Sequence, residues 1–302
     1  MSKIIGIEVS EAHGDIDWSL TRQHVSFVYI KASQGVETVD AALEENWREA
    51  GEVGLPRGLV HIFHPKDIKD WKKQLKLFTG LVGKFPCELT PALDIQTNNG
   101  LRKVEMDNIG AKFCKRFSER TGQELILRTN AAFFNKRLPL TDWAKPRGLW
   151  VVDIRGDEPA VPVEWSKRKP PWIFWKYSAG ENSLGAAYGL SSTSADLTRF
   201  FGDATRFNKI FGVMVAPVEP VKAGEQRESG RAAPLAFRSR VDHVIVRGGP
   251  GDQFPRVGEL QSGERGFVED FSAPQELWVR IGEDRWVPWI LDGKQMLDKE
   301  DQ

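Results

Sequence analysis

Through Val215 the chain alternates short apolar runs with amphipathic stretches. Ile4-Ile5-Gly6-Ile7-Glu8 and Phe27-Val28-Tyr29-Ile30-Lys31 read as buried strands, and Asp17-Trp18 opens a helical segment between them. The pattern then repeats. Leu43, Trp47 and Ala50 share one helical face over residues 41–52, and Gly54 and Gly58 bracket the turn into a strand at residues 59–63. A helix over residues 71–81 precedes a strand at 89–95, and a longer one over 104–121 is stopped by Gly122. Short apolar runs follow at 125–127, 149–152 and 172–175, with a further strand near Leu197. Strands that alternate with helices imply parallel pairing, because parallel neighbours need a crossover. The order predicts an α/β fold, an irregular (β/α) barrel of the TIM type whose later crossovers are too short for regular helices.

After Val215 the pattern breaks. Residues 216–240 hold three prolines and two glycines among many charges, with no sustained apolar period, and read as a linker. Beyond it, short alternating strands are punctuated by Gly248-Gly249-Pro250-Gly251, Ser262-Gly263 and Gly282-Glu283-Asp284, which predicts a small all-β module. The expected organisation is a barrel over 1–212, a linker over 213–240 and a β domain over 241–302.

Composition narrows the function. Of 302 residues, 42 are Lys or Arg and 42 are Asp or Glu, so no overall field favours nucleic acid or an anionic membrane. No apolar run approaches the roughly 20 residues of a membrane span. The first eight residues lack the apolar core of a signal peptide, so the expectation is cytoplasmic synthesis, with release by lysis or within a phage or injection-type particle. Two cysteines give no disulfide framework, and five scattered histidines give no metal-ligand cluster, so neither a metal nor a cofactor is expected.

The chemistry concentrates at Pro91-Ala92-Leu93-Asp94-Ile95-Gln96. Residues two apart on a strand share a face at about 6.5–7 Å, so Asp94 and Gln96 lie side by side. Two carboxyls there would suit glycosidic-bond chemistry, but the second member is an amide. Strand ends at a barrel's carboxyl-terminal face gather Glu8, Lys31, His61, Asp94, Gln96, Arg128, Tyr177 and Asp196 around one mouth. Bland alternatives stand beside each: Glu8 ion-paired to Lys31, Asp196 as a helix N-cap, His61 as a structural histidine, and Trp150 or Trp175 as packing rather than a sugar platform.

Several strings now fall into one pattern. GIEVS, GDIDW, FVYIKASQG, the spaced Asp40 and Asn46, GLVH, PALDIQ and FWKYS with the later Asp196-Leu197 resemble the glycoside hydrolase family 25 muramidases from Lys3 to Gly202. The resemblance implies a barrel that acts on the β-1,4 bond after N-acetylmuramic acid in peptidoglycan. It places Glu8 where the family has Asp, matches Asp94 and Asp196, and puts Gln96 at the catalytic Glu. Gln34, Val60, Arg128 and Lys176 depart from the pattern as well. Likewise VIVRGGPGDQFPRVGELQSGERGFV with WVRIG and WVPWIL resembles a bacterial SH3-type domain, in which Trp278, Trp286 and Trp289 supply core or recognition surface.

An amide cannot donate the proton that a glutamic acid gives the leaving oxygen. Glu8, one methylene longer than Asp, is a candidate to reach toward that gap. Three readings follow: a degenerate barrel that binds peptidoglycan or a related glycan, an active N-acetylmuramidase with altered residues, and a scaffold within a larger protein assembly. Glu8, Asp94, Gln96 and Asp196 are the catalytic positions; Lys31, His61, Arg128, Trp150, Trp175 and Tyr177 are the candidate substrate contacts.

Overall fold

The computed structural model describes residues 3–138, 143–144, 147–180, 182–219, 221, 236–248, 254–267, 270–272, 278–282, 285–288, 290–291, 294–295 and 297–299. The chain divides into two compact units, Met1–Arg227 and Glu228–Gln302.

In the first unit the strands are β1 Ile5–Val9, β2 Phe27–Gln34, β3 Thr38–Val39, β4 Arg57–Ile62, β5 Ala92–Asp94, β6 Ile126–Thr129, β7 Leu149–Val152, β8 Phe174–Ser178 and β9 Asp196–Phe200. The helices are α1 Trp18–His24, α2 Leu43–Glu52, α3 Trp71–Lys84, α4 Lys103–Thr121, α5 Ala131–Arg137, α6 Val163–Ser166 and α7 Ala204–Phe211. Strands β1, β2, β4, β5, β6, β7 and β8 pair in parallel as successive neighbours. Strand β9 then runs antiparallel to both β8 and β1 and closes the ring, while β3 hangs on the end of β2 as a hairpin. The barrel is therefore eight-stranded and mixed, where the alternation of apolar runs predicts a TIM-type order. Among the described residues between β8 and β9 the helical element is the single turn Ala186–Tyr188, and this connection returns β9 beside β8 as an antiparallel neighbour instead of crossing over through a longer helix.

Side chains and glycine set several helix ends. Asp17 caps α1 by accepting from the Leu20 amide at 3.0 Å, and α4 stops at Gly122, whose φ of 69° favours glycine. Inside the barrel, Ile4, Phe27, Tyr29, Val60, Ala92, Ile126, Trp150, Phe174 and Phe200 form one apolar layer, floored by Phe207 of α7. Large rings fit because glycines face them: a Cβ on Gly6 would come within 2.2 Å of the Phe27 ring, and one on Gly58 within 2.3 Å of Tyr29. A second core, between strands and helices, takes the opposite strand faces.

Of the stretch read as a linker, Ala216 and Val218 lie on the barrel: the Ser26 hydroxyl donates to the Ala216 carbonyl at 2.7 Å, and Val218 bridges Lys3. Residues 220 and 222–235 lie outside the described residues. In the second unit, β10 Ala236–Ser239, within the linker reading, is already part of a sheet. The other strands are β11 Val244–Arg247, β12 Arg256–Leu260, β13 Arg265–Phe267, β14 Asp270–Ser272, β15 Trp278–Gly282, β16 Arg285–Pro288, β17 Ile290–Leu291, β18 Lys294–Gln295 and β19 Leu297–Lys299. All their pairings are antiparallel. Trp278 and Trp286 fall on β15 and β16; Trp289, residues 249–251 and residues 283–284 lie outside the described residues. No described helix is long and apolar enough to cross a membrane.

Candidate active site

Strand alternation decides which side chains meet. Ala92 faces the inner core, so Asp94, two residues on, also points inward; by the same parity Ile126 selects Arg128, Phe174 selects Lys176, and Tyr29 selects Lys31. Register then sets the pairs. Asp94 lies directly across from Arg128 on β6, and Glu8 directly across from Asp196 on β9.

Two carboxylates facing each other across strands repel. Lys176 resolves that pair: its Nζ sits 2.6 Å from Asp196 Oδ2 and 3.3 Å from Glu8 Oε1. Arg128 resolves the next one, binding Asp94 Oδ2 through Nη1 and Glu8 Oε2 through Nη2 at 2.8 Å. Gln96 closes the row. Its amide donates to both Asp94 oxygens, at 2.9 and 3.1 Å, while its carbonyl accepts from Asn130 Nδ2 at 3.2 Å. Across the mouth runs a line of alternating groups: Gln96, Asp94, Arg128, Glu8, Lys176, Asp196.

This row is deep. Side-chain exposure is 4% for Asp94, 8% for Arg128 and 12% for Glu8. Burial raises the Asp94 carboxyl above its ordinary range, against the pull of Arg128 and the Gln96 hydrogen bond. Burial works against charge on Arg128 too, but Asp94, Glu8 and Asp196 outweigh it and hold the guanidinium firmly protonated.

Three sequence alternatives close here. Glu8 is not held by Lys31. The partners of Lys31 are Asp40, 3.4 Å away, and Glu11, 3.9 Å away, whereas those of Glu8 are Arg128 and Lys176. Nor does the longer Glu8 reach Gln96, because the Arg128 guanidinium stands between their positions in the row. Asp196 opens a strand rather than capping a helix.

Four expected contacts lie elsewhere. His61 points outward from β4 into the helix-side core, fully buried, with Ser33 Oγ at 2.9 Å, Gln74 Oε1 at 3.1 Å and the Phe78 and Phe113 rings stacked on it. Burial lowers its pKa to about 4. Trp175 and Tyr177 also face outward, since Phe174 and Lys176 take the inner positions of β8; the Trp175 indole donates to the Asp153 carbonyl at 2.7 Å, and Arg199 lies against both rings. Trp150 does point inward but is fully buried beneath Arg128, whose guanidinium lies 5.1 Å from its ring. It is floor, not a sugar platform.

Two supports were absent from the expected contacts, although Asp40 stood in the family pattern. Asp40, with no side-chain exposure, accepts from the Glu11 and Ala42 amides at 2.8 and 3.2 Å and anchors Lys31. Asn130 both caps α5, through the Phe133 amide at 2.8 Å, and orients Gln96. The signal for Asn130 was its place two residues beyond Arg128, on the same face. The open part of the mouth is a cavity of about 170 Å³ walled by Glu8, Tyr29, Lys31, Ile62, Arg128, Lys176 and Asp196; Asp94 lies behind it. Among the described residues no group of His, Cys, Asp and Glu is placed to hold a metal ion.

Acids from β1, β5 and β9 of this mixed eight-stranded barrel thus converge at one mouth. The glycosyl hydrolases family 25 profile matches residues 7–186, and the chain belongs to that family. It is 29% identical over 216 residues to lysozyme M1 of Streptomyces globisporus, covering 68% of this chain and 70% of the lysozyme. Among solved structures, a bacterial lysozyme from Streptomyces coelicolor matches with a TM-score of 0.59 and 26% identity, over 70% of this chain and 98% of that one. A family 25 glycosyl hydrolase from Bacillus anthracis matches with a TM-score of 0.58 and 22% identity, over 70% and 94%, a likeness of fold. Any hydrolysis by this chain is accordingly that of a glycoside hydrolase.

Proposed function

We propose that this is a peptidoglycan-directed, lysozyme-like protein whose remodelled mouth binds glycan with weak or no hydrolysis. The observation that carries the reading is the Gln96 amide donating to both oxygens of Asp94 while Arg128 takes the same carboxylate from the other side. A glycosidase needs one carboxyl to protonate the leaving oxygen and another to attack or stabilise the cation. At the first position stands an amide with no acidic proton near neutral pH, and the remaining acids are committed to Arg128 and Lys176. Gln96 can still donate to and accept from the hydroxyls and amides of a saccharide.

The antiparallel second unit and its VIVRGGPGDQFPR string support a bacterial SH3-type, wall-binding role for that module, which would add avidity to the barrel's contact. A second reading, an active N-acetylmuramidase, draws on one observation: burial raises Asp94, as a proton donor requires. Against it, Asp94 is shielded behind Arg128. The full chain should be retained on insoluble peptidoglycan without releasing reducing ends; absence of retention would refute the glycan-binding reading.

A further inference from the structure

Away from the mouth, a groove of about 440 Å³ lies between α3 and α4, lined by Trp71, Lys72 and Leu75 on one side and Lys112, Arg116 and Arg120 on the other. We propose that this groove is a second ligand site, which takes an anionic saccharide chain.

Three features carry the assignment. First, the lining is four cations and two apolar side chains, with no acid. Arg116 gives Nη1 to Glu119 at 2.6 Å, but among the described residues no ion pair or side-chain hydrogen bond engages Lys72, Lys112 or Arg120. At the mouth the opposite holds, each cation there having a carboxylate. Second, Lys112, Arg116 and Arg120 follow one another at four-residue intervals, which stacks them on one face of α4 about 6 Å apart. Like charges at that spacing cost helix stability, and with only Arg116 paired to an acid among the described residues the row is a liability that an anion with repeated charges lying along it would relieve. Third, half-buried Trp71 and buried Leu75 put an apolar surface beside the row. A flat ring amid donors suits the apolar face of a pyranose, with the carboxylate, sulfate or phosphate substituents left to the cations. The volume lies within the range of ordinary ligand sites. The site needs neither binding nor chemistry at the mouth.

The test is calorimetric titration of the full chain with dextran sulfate, with neutral dextran and with a single-stranded thymidine oligonucleotide. Dextran sulfate should bind and dextran should not. Lys112→Gln/Arg120→Gln, both at exposed positions, should weaken binding of the sulfated chain at least tenfold, while the equally neutralising control Lys136→Gln/Arg137→Gln on α5 leaves it within twofold. Trp71→Ala should weaken it at least fivefold and Trp71→Tyr, which keeps a ring, less than twofold, with far-ultraviolet circular dichroism unchanged. The proposal is overturned if the Lys112/Arg120 variant binds like the parent or like the control, if Trp71→Ala has no effect, or if the oligonucleotide binds more tightly than dextran sulfate.

Discussion

Replacing Arg128 by Met keeps the side-chain volume over Trp150 and deletes the charge that joins the two halves of the mouth. Two losses follow from the geometry. Asp94, 4% exposed, loses its direct ion-pair partner and keeps the Gln96 amide and the weaker field of Lys176, whereas Glu8 retains Lys176 at 3.3 Å. Removing one partner of a buried ion pair costs roughly 3–5 kcal/mol, and the retained Lys176 contact places this case near the lower end. The lost approach of the guanidinium to Trp150 adds up to about 1 kcal/mol. The expected destabilisation is about 4 kcal/mol at pH 7, read from urea denaturation followed by near-ultraviolet circular dichroism. It should also depend on pH with a definite sign. Burial already raises Asp94, and without Arg128 only the Gln96 hydrogen bond and the weaker pull of Lys176 oppose it. Between the ordinary carboxylate value and the raised one, the native state binds more protons than the unfolded state, so the variant loses stability as pH rises through that window. Its deficit relative to the parent therefore shrinks on acidification, and Asp94→Asn in the same background should recover most of it. A deficit under about 1 kcal/mol, or one independent of pH, would refute the ion-pair account of the mouth.

Two further outcomes test the placement of side chains away from the mouth. His61, lowered by burial from 6.5 to about 4, binds fewer protons folded than unfolded across that interval, so it contributes about 3 kcal/mol that is present above pH 6.5 and lost as pH falls toward 4. The parent's stability should decline more steeply over that range than that of His61→Gln; superimposable profiles would contradict the burial. Trp175→Phe deletes the hydrogen bond to the Asp153 carbonyl and should cost about 1 kcal/mol while leaving retention on peptidoglycan unchanged. Lost retention at unchanged stability would return Trp175 to the binding surface.

Much of this architecture was legible in the chain. Leu43, Trp47 and Ala50 mark α2 by spacing alone, and all three are buried. The positions around the mouth follow from strand ends, and the structure brings Glu8, Asp94, Gln96, Arg128 and Asp196 together there, with Arg128 at a position where the family pattern has another residue. What escaped was parity. His61, Trp175 and Tyr177 sit next to inward-facing Val60, Phe174 and Lys176, and on a strand a one-residue offset exchanges core for cavity. Their apolar flanks give no clue to which face is which until one residue per strand is anchored. The antiparallel turn of β9 escaped for a related reason, since the connection before it carries no helical period to betray its direction. The pairing of Lys31 with Asp40 depends on where the loop after β2 returns, a tertiary fact with no local signature.

Arg128 and Lys176 together set the electrostatics of the mouth. Three carboxylates, Glu8, Asp94 and Asp196, converge in a largely buried space, and two cations thread between them. Restoring the acid alone by Gln96→Glu would add a fourth carboxylate beside Asp94 with no new cation to compensate it. General acid catalysis is worth about 10²–10⁴ in rate, but only where the partner carboxylate is free to act on the sugar.

The most direct measurement is the release of reducing ends from purified peptidoglycan by the unmodified full chain, against the Asp94→Asn variant as background. No release above that background is expected, and less than a tenfold gain from Gln96→Glu. Sustained release by the unmodified chain that disappears in Asp94→Asn would contradict it, because Asp94 would then be catalysing hydrolysis from behind Arg128.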